Sequence, residues 1–157
     1  MAIAATTGAK IFIGPTTPAA TETAYEALSW TEIKEVESIG EFGDQASTIE
    51  FTSLGDARVR KRKGVRNAGD MTITVANDPL DEGQRAVVSA EATEFAYAFK
   101  VVLADGADAN DTDSTFYFHA LVGSARLSNV SANEIVKRAF NLLIDSAIIE
   151  VPSTAVA

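Results

Sequence analysis

From Ile135 to Val151 the chain alternates: Val136, Arg138, Phe140, Leu142 and Ile144 fall on one parity, and Lys137, Ala139, Asn141, Leu143 and Asp145 on the other. A period of two belongs to a β-strand, whose successive side chains point to opposite faces. The first set is the more apolar, so one face of this strand is expected to be buried. A strand of this length also commits the rest of the chain to covering or pairing its edges, because exposed edges aggregate.

Other segments supply the partners. Ile11, Phe12 and Ile13 form a short strand signal that Pro15 and Pro18 stop, and the Thr/Ala stretch that follows reads as a loop up to Trp30. Between Trp30 and Phe42, Ile33, Val36 and Ile39 are spaced by three, yet β-branched residues, Thr31 and the Gly40/Gly43 boundary favour a strand with an irregularity. Met71 to Val75 alternates apolar residues with Thr and reads as a strand. It precedes the best helix signal: Asp78 as cap, Pro79 at the first helical position, Asp81 and Glu82 in the first turn, and an end near Ala92. Leu80, Val87 and Val88 would share that helix's apolar face. Phe95 to Leu103 and Thr115 to Val122 read as strands joined by the turn-rich DGADANDTDS. The fold class is therefore mainly β, a sandwich or barrel with one flanking α-helix, in a single domain over residues 1–157 whose tail from Pro152 is frayed.

Gly43 to Gly69 has weak periodicity and is expected to be a long loop, broken only by Ile49-Glu50-Phe51. Loops longer than about 12–15 residues are uncommon in compact domains unless they serve a function. This one holds Arg58, Arg60, Lys61, Arg62, Lys63 and Arg66, six of the 13 basic residues, leaving seven to set against 22 acidic ones. Such a division makes the molecule electrically two-sided, and docking of the loop on an acidic surface of a neighbouring copy would steer assembly and fix its register. A solvated basic loop or a grip on nucleic acid are the other readings. The formal net charge of −9 disfavours general DNA binding.

The residues point away from catalysis. There is no cysteine and one histidine, His119, in strand-like surroundings that suit a structural role, so a zinc centre lacks its ligands. Asp105, Asp108, Asp111 and Asp113 have cation-like spacing, but no glutamate closes the loop and no helices flank it, which favours an acidic solvated turn. Neither a phosphate-binding glycine loop nor a nucleophile elbow is present, so no enzyme activity, cofactor or metal is expected. The sequons at Asn110 and Asn129 read as chance. No signal peptide or apolar run of about 20 residues suggests a membrane anchor, and synthesis in a bacterial cytosol fits.

Four stretches carry a family resemblance by their order and spacing: WTEIKEVES at Trp30 to Ser38, the Ala68-Gly69-Asp70 corner entering a Thr-rich strand, Gly83-Gln84-Arg85-Ala86, and Gly123-Ser124 followed by SANEIVKRAFNLLI. With them the chain resembles the major tail tube proteins of long, non-contractile bacteriophage tails, over roughly Trp30 to Ser146. The resemblance implies a structural virion protein made in the host cytoplasm. Six copies would close into a ring, with inner strands joined into one barrel. Rings would stack into a tube that conducts DNA without binding it specifically, and the expected partners are a tape measure protein and tail tip and terminator proteins. The long loop of such proteins reaches adjacent subunits or the next ring, a position held here by Gly43 to Gly69. Some members end in an immunoglobulin-like domain, and none is expected in a chain stopping at Ala157.

A channel that lets DNA slide benefits from carboxylates on its wall. Glu35 and Glu37 on one strand parity, or Lys137 and Asp145 on another, are candidates for it, and ordinary solvent faces are the plain alternative. Two other functions stay open: a tube protein of a contractile tail or secretion system, and a monomeric β-sandwich that binds glycans or a receptor. Trp30, the one tryptophan, offers little of the aromatic platform such binders display.

Overall fold

The structure, a computed structural model, describes residues 8–55, 57–106 and 112–153. In chain order its elements are β1 (Lys10–Ile13), α1 (Glu22–Glu26), β2 (Thr31–Ile33), β3 (Val36–Ser38), β4 (Gln45–Thr52), β5 (Val59–Asn67), β6 (Asp70–Ala76), α2 (Glu82–Glu91), β7 (Tyr97–Val102), β8 (Thr115–Ser128), β9 (Lys137–Ile144) and β10 (Ile149–Val151). Eight strands form one antiparallel sheet in the order β2-β1-β7-β8-β9-β6-β3, with β10 beside β8; β4 and β5 form a separate hairpin.

β2 and β3 occupy opposite ends of the sheet order, yet only Lys34 and Glu35 separate them in sequence. So short a link spans about 10 Å, so the sheet must roll until its two edges almost meet. The core fills the roll: Ile11, Ile33, Met71, Ile73, Phe99, Phe118, Phe140 and Leu142 point inward, and α2 adds Val87 and Ala90. Phe99 and Phe118 stack with ring centroids 5.9 Å apart.

α2 closes the seam. The Asp81 carboxylate caps the helix by accepting from Gln84 N, and the same oxygen accepts from Lys34 N, each at 3.1 Å. Gln84 Nε2 donates to the carbonyls of Lys34 and Ala76, one beside each sheet edge, while its Oε1 accepts from Asp78 N. A side chain at Gly83 would drive its Cβ onto the Glu32 carbonyl, so glycine lets the helix lie directly on β2.

Several expectations need correction. The helix is capped by Asp81 rather than Asp78, so Leu80 lies before it and is exposed, and of the expected face Val87 is buried while Val88 is on the exposed side. A second helix, α1, lies in the stretch read as loop; Thr21 caps it by accepting from Ala24 N. With it, residues from the loop cover the outer face of β7 and β8, where Tyr25 stacks on Tyr117 at 5.2 Å. The irregularity expected between Trp30 and Phe42 is present: Glu35, whose φ of 60° sits in the left-handed region, divides β2 from β3, and a register shift follows between Val36 and Ser38. The run from Ile135 to Val151 is two strands. β9 stops at Ile144, and β10 moves over to pair with Thr115 to Tyr117 of β8. Above all, Gly43 to Gly69 is not a loop but a projecting β-hairpin, β4–β5.

Candidate functional site

The β4–β5 hairpin is an arm. Its residues are exposed along nearly its whole length, and among the described residues its two strands pair only with each other. Isolated two-stranded hairpins are marginal in water, which makes this arm a candidate contact surface. Register sorts its side chains, because residues directly opposite in an antiparallel pair share a face. Ile49 faces Arg62 and Phe51 faces Arg60; on the other side Thr48 faces Lys63, Glu50 faces Lys61 and Thr52 faces Val59. Lys61 reaches Glu50 at 4.0 Å, and Arg66 at the root meets Asp44 at 3.4 Å. One extra residue in β5 makes a bulge between the Ala46–Arg66 and Thr48–Lys63 pairs, a feature that increases local twist.

The second surface is the outward face of β3, β6, β9 and the far half of β8. The inward apolar residues of β6 and β9 are buried, while outward ones such as Thr72, Thr74, Ala139, Asn141 and Leu143 are half-buried or exposed. The register sets Ser124 opposite Asn141 and Arg126 opposite Ala139 on the same face. Lys137 reaches over β6 to Glu37, with Nζ 2.8 Å from the carboxylate, so these two candidates stand together here. The other two do not join them: Glu35 lies in the bend before β3, and Asp145 lies beyond the end of β9, where its N–H donates to the His119 carbonyl.

This face has two free edges. β8 pairs with β7 only as far as Ala120, leaving 121–128 bonded on the β9 side alone, and β3 is the last strand at the other end. Gly40 (φ 81°) tucks the chain after β3 against the Thr72 carbonyl, where a Cβ would stand 2.5 Å from that oxygen. Outward Thr, Ala and Asn were visible in the alternation of β6 and β9, but the unpaired half of β8 had no sequence signal.

The remaining polar groups are structural. His119 Nε2 lies 2.9 Å from the Thr17 carbonyl and so carries the proton, leaving Nδ1 to accept from Tyr25 Oη at 2.7 Å. Burial pushes the Tyr25 phenol up from its ordinary pKa. Lys100 Nζ lies 4.3 Å from the Phe12 ring centroid, and desolvation lowers its pKa. Asp105 accepts from Ser114 Oγ and N, and the hydroxyl bond first among these holds its carboxyl below the usual range. Asp113 accepts from Gly106 N; Asp108, Asp111 and Asn110 lie outside the described residues, among which no group of His, Cys, Asp or Glu is arranged for a metal.

A sequence profile described as phage tail tube protein, TTP, matches residues 6–151. The chain belongs to the phage tail tube protein family. That makes it a structural tail component and not an enzyme. No curated protein sequence matches it significantly. Among solved structures, the tail tube of SPP1 is similar with a TM-score of 0.58 at 16% identity, covering 90% of this chain and 75% of that one. A chain of the anti-feeding prophage baseplate reaches 0.66 at 12% identity over 92% of both chains. One from the sheath-tube complex of an extracellular contractile injection system, PVC, reaches 0.63 at 13%, covering 92% and 88%. At these identities the likeness concerns the fold, which tail tube proteins share with subunits of contractile systems. Among the described residues no helix is long and apolar enough to cross a membrane.

Proposed function

We propose that six copies of this tail tube protein close head to tail into a ring, and that rings stack into a tube conducting DNA. The observation that carries this reading is the open face with a free edge on either side. β8, β9, β6 and β3 alternate in direction. The 121–128 edge of one copy therefore meets the β3 edge of the next antiparallel, the same relation as every other pair in the sheet. Such closure removes edges that would aggregate in a monomer. Six-fold symmetry comes from the family resemblance, and so do a tape measure protein inside the channel, tail tip and terminator proteins at its ends, and the long non-contractile tail itself.

On this reading the wall consists of Thr72, Thr74, Ala139, Asn141 and Ser124, with Leu121 and Leu143 towards the arm end, and Glu37 and Asp70 against Lys137 and Arg126. It is largely uncharged and near neutral rather than strongly acidic, and among the described residues it has no row of cations of the kind that grips phosphates. Glu35 and Asp145 fall at its two rims. The arm, carrying Arg58, Arg60, Lys61, Arg62, Lys63 and Arg66, supplies the contact between rings.

Negative-stain electron microscopy of the purified protein at high concentration tests the proposal. Hollow tubes of stacked rings are expected; monomers that persist even when supplied with preformed tube ends would overturn it.

A further inference from the structure

We infer that ring stacking uses one face of the arm only, and that Ile49, Phe51, Arg60 and Arg62 pack on the opposite end of a second copy, around Leu80, Val130 and Ile135. The inference rests on the stacked-ring reading and adds which residues meet.

The two faces of the arm differ in chemistry. One sets an aromatic and an aliphatic side chain beside two guanidinium groups; Phe51 is 65% and Ile49 56% exposed. Aromatic residues and Arg are enriched where interfaces bury a core, whereas Lys, Glu and Ser are depleted. The opposite face carries Lys61, Lys63, Glu50 and two threonines, with Lys61 already beside Glu50 and Val59 as an apolar member opposite Thr52. It has the composition of a solvated rim.

An open-ended stack needs complementary surfaces at opposite ends of each copy. β6 leaves the arm at Asp70 and finishes at Ala76, opposite Lys137 of β9, so the arm root and the β8–β9 turn lie about 20 Å apart along the strands. At that far end Leu80 is 83%, Val130 71% and Ile135 70% exposed. Asn77 N donates to the Val136 carbonyl and ties the approach to α2 to the start of β9, bringing these apolar residues to one end of the sheet. Carboxylates stand among them, Glu134 beside Ile135 and Glu35 beside Ala76, whose N–H donates to the Glu35 carbonyl. Two cations at this end already have partners: Lys137 pairs with Glu37, and Arg138 donates to Asn77 Oδ1 and the Ala125 carbonyl. Glu134 and Glu35 therefore offer acceptors for the arm's guanidinium groups. Exposed apolar residues and carboxylates at one end of the copy therefore complement the exposed apolar and Arg side chains of the arm.

The test compares R60E/R62E with K61E/K63E, which change net charge equally on opposite faces, by measuring the protein concentration needed for tube growth. R60E/R62E and Phe51→Ser are expected to raise it roughly 10-fold or more, as loss of a central anchor does, with K61E/K63E close to wild type. Ile135→Glu should match Phe51→Ser, and E134R combined with R62E should recover growth that R62E alone loses. Because the chain has no cysteine, Phe51→Cys mixed with Ile135→Cys should give a disulfide between copies in tubes only. Equal loss from both arm faces would overturn the one-face inference while leaving arm docking intact. Normal growth of Ile135→Glu without cross-linking would overturn the receiving end. If no arm variant alters growth, arm docking itself fails; if wild type makes no tubes, the stacked-ring reading fails.

Discussion

Asp81→Ala probes the seam that lets the sheet roll up. In the wild type one carboxylate oxygen accepts from Gln84 N at the helix start and from Lys34 N at the crossing between the two sheet edges. Loss of an N-cap costs about 1 kcal/mol. The stranded Lys34 N–H, part-buried and with no replacement acceptor, adds about 1–3 kcal/mol. The sum is about 2–4 kcal/mol, or roughly 4–16 °C in Tm at about 2–4 °C per kcal/mol for a chain of this size. The assay is urea and thermal unfolding of the dilute protein followed by circular dichroism. Asp81→Asn keeps an oxygen able to accept both bonds and should cost under about 1 kcal/mol, since Asn caps helices as well as Asp. An Asp81→Ala protein within about 0.5 kcal/mol of wild type, or an Asn variant as damaged as the Ala variant, would refute the reasoning.

Three further outcomes follow from the same geometry. Gly83→Ala pushes a methyl group into the Glu32 carbonyl and should destabilise by about 1–3 kcal/mol or more, measured by urea midpoint. Tyr25→Phe leaves the buried Nδ1 of His119 without its donor and should cost about 1–3 kcal/mol, with the His119 ring resonances shifting in NMR spectra. Asp105, held down first by the Ser114 hydroxyl, should titrate below the ordinary value of about 3.9. Its stabilising contribution is present above the unfolded-state pKa and is lost as pH falls through the lower folded one, and Ser114→Ala should raise the NMR titration midpoint.

The core of this fold could be read from sequence wherever one strand face is buried, because burial writes apolar residues at every second position. β6 and β9 were legible for that reason, as were Val87 and the end of α2. The arm was not, because both its faces are exposed in the single copy and Thr, Arg and Lys alternate with nothing that burial would select. Leu80 and Val88 misled as core candidates since apolar residues at helical spacing look the same whether they are buried or exposed. Glu35 and Asp145 were placed on strands by parity alone; a left-handed residue at Glu35 and the early end of β9 broke the count. Closure of the sheet was invisible in sequence, since it depends on Gln84 reaching carbonyls 50 and eight residues away.

A cryo-electron microscopy reconstruction of the assembled tube tests the central claim most directly, by identifying the strand face that lines the channel. The account predicts Thr72, Thr74, Ala139 and Asn141 facing the lumen, with the 121–128 edge of each copy hydrogen-bonded to β3 of the next. A channel lined by α1 and the outer face of β7, or copies joined through β2 instead, would contradict it.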